Sequence, residues 1–283
     1  MCGRYTLSRP QQLVDELDAA LGGLERGPDE DERLLRPRFN VAPTQTMPVV
    51  LFAEGEEAGS RPRLEGHAWG LQPPWRGGRK RRGAPLINAR VETVAEKASF
   101  REAFATRRCL VPADGFYEWS AKERGHQPHL LTLTPEEPGD EPPGSPPGTC
   151  FAGLWEPLGA EGARVPEGFA PAQGRFVVLT TAANRSVAPL HDRMPLALPA
   201  HCWQRWLDDA ADPDALLEML AGDEVGAHAR WSAHAVSERV NNVRHDDPTL
   251  LQQVGTAAPG TSPMRAISRR KSEDWSADRK SVV

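Results

Sequence analysis

The chain has 283 residues, of which 39% are hydrophobic, with 27 Pro, 25 Gly and a formal net charge of −5. That length suits one large domain or two small ones, with a real core and an unusual share of loop. The charge excludes a protein that coats nucleic acid by bulk electrostatics, no run approaches the ~20 apolar residues of a membrane span, and no signal-like segment opens the chain, so a cytoplasmic protein is expected.

In chain order, Ser8 is predicted to cap a helix that carries Leu13, Val14, Leu17 and Leu21 on one face. Runs of strand length follow at 49–52, 67–71, 108–111, 116–119, 130–133, 150–155 and 176–180. Short helices are predicted over 99–105, 199–207 and 213–220, the last two with Pro near the start. Many short strands with scattered helices imply an α+β fold. The expected form is a single domain around a strongly bent, mostly antiparallel, barrel-like β-sheet with a few peripheral helices.

Disordered insertions are expected near 22–37, 135–149 and 159–174, where Pro, Gly, Ala or charge replaces apolar periodicity. The domain is expected to span 1–257, with 258–283 as a disordered tail. Residues 76–82 read RGGRKRR, which suits a solvated loop and a local phosphate contact equally well. The four cysteines, Cys2, Cys109, Cys150 and Cys202, lie far apart without a C-x-x-C pair. Neither a metal site nor a disulfide is expected from that spacing. No G-x-G-x-x-G or P-loop string occurs, so no nucleotide cofactor is expected.

Cys2 directly follows Met1. Methionine is normally trimmed before a small residue, which would leave Cys2 with a free α-amine and a thiol on one carbon skeleton. Such a 1,2-aminothiol condenses with an aldehyde as an imine, and the thiol then closes a thiazolidine ring. The unperturbed amine titrates near ~8 and the thiol near ~8.5, so both are partly reactive at neutral pH. Taken alone, a cysteine at the start is most often incidental.

Six further islands join reactive residues to Gly, Pro and aromatics, as site loops do. With the start they read MCGRY, NVAPTQ, WGLQPPW, INARVET, DGFYEW, LHDRMP and VNNVRHDDP. In that order they resemble the SRAP family, the SOS response-associated "peptidase" proteins, from Met1 to about Val254. The resemblance implies recognition of abasic sites in single-stranded DNA and a covalent thiazolidine link through the amino-terminal cysteine. An earlier proposal for the family is a thiol autopeptidase. It also implies that Cys2, Asn88, Glu118 and His191 are the active-site residues.

The residues themselves suit those jobs. Glu118 lies between aromatics that would raise its pKa, and alternation puts it with Phe116 on one face and Tyr117 with Trp119 on the other. His191 suits protonating the sugar ring oxygen or the departing hydroxyl. The Asn88 amide oxygen can hold the Cys2 amine or the sugar. Phosphates would fall to Arg4, Asn40, Arg90 and Arg193, and stacking to Trp69 and Trp75, although a lone Trp is more often core and Trp69 sits in a strand. The expected partner is single-stranded DNA with abasic sites, bound by a monomer without cofactor or membrane. Two rivals stay open: a peptidase or N-terminal-nucleophile hydrolase with His191 as base, and a non-covalent single-strand binding module.

Overall fold

The computed structural model describes residues 2–26, 32–52, 60–72, 84–121, 126–134, 149–158, 166–222, 225 and 230–255. In chain order the elements are β1 (Tyr5–Leu7), α1 (Pro10–Ala20), β2 (Glu25–Arg26), β3 (Arg38–Val41), β4 (Thr46–Leu51), β5 (Arg63–Trp69), β6 (Asn88–Arg90), α2 (Arg101–Thr106), β7 (Arg108–Ala113), β8 (Gly115–Trp119), β9 (Pro128–Leu133), β10 (Thr149–Pro157), β11 (Gly174–Ala182), β12 (Arg193–Pro195), β13 (Ala197–Leu198), α3 (Ala200–Leu207), α4 (Pro213–Ala221) and β14 (Trp231–Ala235).

β5, β4, β7, β10 and β11 pair in turn, each antiparallel to the next. β11 then returns to β5 in parallel, from Gly174↔His67 to Phe176↔Trp69, and closes a five-stranded barrel. Every residue of β4 and β7 is buried, because the barrel fills one face while α1, α2 and α3 lie against β7 on the other. Strands covered on both faces lose the polar alternation that marks a half-exposed sheet.

A second sheet, ordered β14-β9-β8-β1-β3, is antiparallel throughout. Its inner face packs on the barrel. Tyr5 meets Trp69 edge-on at 5.2 Å between ring centroids, and Phe116 meets Phe151 at 6.5 Å. Its outer face carries Tyr117 and Leu130, covered by Val236, Val240 and Leu250. The strongly bent, mostly antiparallel sheet expected from sequence is therefore a closed barrel with a second sheet laid against it, and the helices are peripheral.

Ser8 is not the cap of α1. The N-cap position is Arg9, without a side-chain bond, and Pro10 begins the helix, where a missing N–H costs nothing. The amide and hydroxyl of Ser8 donate instead to Asp114 Oδ2, tying β1 to the β7–β8 turn. Leu13, Val14 and Leu17 are buried as their spacing predicts, while Leu21 falls just past the helix.

Ordered structure enters two stretches expected to be disordered. Leu24 and Leu34 are buried, and Glu25–Arg26 pairs with β5; Ala170 is buried and Gly174 opens β11. Residues 27–31, 135–148, 159–165 and the tail from 256 lie outside the described residues. No described helix is long and apolar enough to cross a membrane.

Gly115 lets β8 and β9 approach: a Cβ there would lie 2.4 Å from Leu131 O, a contact with backbone that no rotamer relieves. Gly115→Ala is expected to lower the unfolding free energy by about 1–3 kcal/mol. The check is a lower urea midpoint at unchanged slope; an unaltered midpoint would mean that the strand pair has slack to give.

Candidate active site

Cys2 precedes β1, and the β1–β8 register fixes what stands beside it. Tyr5 opposes Phe116, and the Tyr117 amide donates to Arg4 O at 3.0 Å. Continuing that antiparallel register opposes Gly3 to Glu118, one residue from the cysteine. Cys2 is wholly buried, and its thiol makes one long contact, 3.7 Å, to Arg4 O. Burial pushes the thiol far above its ordinary pKa and the Glu118 charge pushes it further, against the opposing effects of the amino-terminal charge and of the Arg4 carbonyl contact.

Glu118 is buried on the same face as Phe116, while Tyr117 and Trp119 face the C-terminal turns. This is the alternation read from GFYEW. Burial raises the Glu118 carboxyl above the usual carboxylate value; the amino-terminal charge and His191 draw it back.

Asn88 and His191 reach the same place from β11. β6 pairs in parallel with β11 through Val178↔Asn88 and Thr180↔Arg90. β12 pairs on from its end through Ala182↔Arg193. Asn88 Nδ2 donates to Cys2 O at 2.8 Å, so the amide hydrogen holds the cysteine carbonyl. Its Oδ1 is buried without a hydrogen-bond partner among the described residues, a spare acceptor beside Cys2.

His191 follows a turn in which its amide donates to Val187 O at 3.1 Å. Its Nδ1 accepts the Arg193 amide at 2.9 Å and lies 2.9 Å from Asp192 Oδ1. The first contact needs a lone pair on Nδ1 and the second a proton. In neutral imidazole the Arg193 contact leaves the proton on Nε2.

Glu92 received no role from sequence, yet it braces this arrangement. It takes a bidentate bond from Arg193, whose Nη2 also donates to Thr180 O at 2.6 Å. That bond holds Glu92 below the usual carboxylate value. The pair links the segment after Asn88 to the segment after His191 and so fixes their separation. No sequence signal joins two residues 101 positions apart; only their places in two of the motif islands hint at it.

The residues expected to hold DNA divide sharply. Arg90 is exposed at the end of β6. Arg4 is half-buried and donates to Asn40 Oδ1 and Val240 O, both at 2.8 Å. Asn40 is wholly buried, with its amide spent on Val240, Asn242 and His245 carbonyls. It is not offered to a phosphate. Trp69 is core rather than platform: it is wholly buried, stacked on Phe176, and donates Nε1–H to Ile87 O at 2.9 Å. Arg193 reaches a phosphate only by leaving Glu92. Trp75 and RGGRKRR lie outside the described residues. Among those residues no group of three His, Cys, Asp or Glu is placed to hold a metal ion.

The chain matches the family model for SOS response associated peptidase (SRAP) over residues 1–243. The abasic site processing protein YoqW of Bacillus subtilis is 32% identical over 255 residues, covering 89% of this chain and 99% of the relative. The abasic site processing protein YedK of Escherichia coli is 30% identical, covering 90% of this chain and 100% of the relative. The abasic site processing protein HMCES of Gallus gallus is 29% identical, covering 83% of this chain and 71% of that protein. In fold, a solved protein from Bacteroides thetaiotaomicron superposes with a TM-score of 0.63 at 19% identity, covering 89% of this chain and 100% of that one. The chain belongs to the SOS response associated peptidase (SRAP) family.

Proposed function

We propose that this protein acts on abasic sites in single-stranded DNA and joins itself to them through Cys2 once Met1 is removed. The observation that supports this most is the meeting of Asn88, Glu118 and His191 at the first residues of the chain, with Asn88 bonded to the Cys2 carbonyl at 2.8 Å and Glu118 coupled by charge to both Cys2 and His191. The abasic site processing relatives point to the same lesion.

The open-chain abasic sugar presents an aldehyde at C1′. The neutral α-amine adds to that carbon, with Glu118 accepting a proton from the ammonium form. Glu118 hands that proton to His191, which protonates the departing hydroxyl, and water leaves as the C=N bond forms. The thiol then adds to the same carbon and its proton passes to Glu118. The sum is amine, thiol and aldehyde giving thiazolidine and one water. Asn88 anchors the Cys2 carbonyl and offers Oδ1 to the amine or a sugar hydroxyl. Arg90 and Arg4 are the cations that would hold the strand.

The raised thiol pKa bears on the rival peptidase reading. A thiol peptidase attacks as thiolate, which burial and the Glu118 charge both oppose at Cys2. An amine-first route needs no resting thiolate.

Incubation with an oligonucleotide bearing one abasic site should give a denaturation-resistant adduct whose mass is the sum of both less one water. Cys2→Ala should leave at most a heat-labile imine. No adduct, or a heat-stable one from Cys2→Ala, would sink the reading, as would a mature protein that keeps Met1.

Glu118→Gln tests the carboxylate. A folded pKa above the unfolded value means a stability contribution that is present below the unfolded pKa, near ~4.3, and lost as pH rises through the folded one. The variant should therefore be more stable than the native protein at pH ~7–8, with the gap closing toward acid. Its adduct formation should slow by about 10²-fold or more. Equal urea midpoints at both pH values, or an undiminished rate, would remove Glu118 from its role.

A further inference from the structure

The segment VNNVRHDDP takes no part in the chemistry at Cys2, yet much of the buried polar structure is spent on holding it. Wholly buried Asn40 shares its amide N–H groups among the carbonyls of Val240 at 3.1 Å, Asn242 at 3.2 Å and His245 at 2.9 Å. Arg4 Nη1 braces Asn40 Oδ1 and Val240 O together. Asp246 accepts the amides of Phe39 and Asn40 at 2.6 and 3.0 Å and pairs with Arg38 at 2.8 Å. Arg239 pairs with Asp247 at 2.7 Å, and Trp119 Nε1 donates to Asn241 Oδ1 at 2.7 Å. Both ends of the loop are clamped.

Its apex, by contrast, stands in water. Asn241, Asn242, Val243 and Arg244 are all exposed. Val243, 45% exposed, is the only large hydrophobic residue left open among the described residues. The two acids of the loop are already neutralised by Arg38 and Arg239, and the Arg244 side chain has no recorded partner among the described residues. The apex thus presents one apolar group and one uncompensated cation on a backbone that needs no further ordering. A surface held rigid before contact loses less entropy when a ligand arrives.

We propose that Val243 and Arg244 form a contact for the single strand that flanks the lesion, Arg244 pairing with a phosphate and Val243 packing on the neighbouring sugar or base. The proposal rests on the reading that the strand is bound with its abasic sugar at Cys2. Arg4, two residues from that thiol, is hydrogen-bonded to the root of the loop, so a strand leaving the site has this apex as neighbouring ground. An uncompensated cation beside an apolar side chain matches a phosphodiester chain carrying exposed bases.

The test uses the full chain with Arg244→Ala, Arg244→Lys and Val243→Ser. Binding of an undamaged fluorescent single strand is followed by anisotropy across a salt series in the Cys2→Ala background. Adduct rate against concentration of abasic oligonucleotide is measured with Cys2 present. Loss of one phosphate contact should weaken binding about fourfold at ~0.15 M salt and make the log–log salt slope shallower by about 0.7. Arg244→Lys should restore most of both. Val243→Ser should weaken binding with the slope unchanged. Adduct rate at saturating DNA and the urea midpoint should stay native in all three.

Native half-saturation and native salt slope in Arg244→Ala would overturn the proposal and leave the apex for a protein partner. A native protein that binds the single strand but forms no adduct would sink the thiazolidine reading alone, because the anisotropy arm still reports on the loop. Failure of the native protein to bind the strand at all would overturn both.

Discussion

The pairing of β1 with β8 is the constraint on which the site depends. Chain ends usually fray, since few contacts hold them. Here the first strand lies inside a sheet, between β8 and β3, and Tyr5 is pinned among Trp69 and Phe151. The residues leading into that strand inherit its order, since the Tyr117 amide still bonds Arg4 O ahead of it. Cys2 is consequently a buried, oriented group and not the tip of a mobile arm. For the proposed reaction, orientation of this kind removes much of the entropy that a free aminothiol would lose on meeting an aldehyde.

The same packing makes the site electrostatically tense. A carboxyl is buried beside a thiol and disfavours its ionised form, while burial itself raises the carboxyl. Counter-charges at the amino terminus and His191 relieve only part of this. Elsewhere the interior balances its charges more fully: Arg193 with Glu92, and Arg38 with Asp246. A buried carboxyl and thiol with only partial counter-charge are what reactive chemistry needs and folding alone disfavours.

Much of the fold was legible in the sequence because core strands are apolar on both faces; all seven predicted runs fall on strands. The short ones escaped. β3, β6 and β12 have three or four residues each, with Arg and Asn among them, and take their strand form from neighbours. The alternation in GFYEW placed Glu118 correctly since a strand's period is local. Roles that depend on distant partners were less readable. Arg193 and Asn40 look like ligand-holding groups in isolation; an acid 101 residues away claims the one, and a loop some 200 residues away claims the other. Trp69 repeats the lesson for aromatics, as burial and not residue type separates core from platform.

The interior position of β1 also sets a schedule. Cys2 is sealed only when β8 covers it, and β8 is translated more than 100 residues later. At ~5–20 residues per second, a nascent chain takes roughly 6–24 s to reach Glu118. During that interval the leading peptide bond would be open to the methionine removal that the proposed function requires. Once the sheet forms, the bond's neighbour is interior. On the proposed reading, maturation of Cys2 is thus a race between processing and folding, and the order of strands in the gene gives processing the head start.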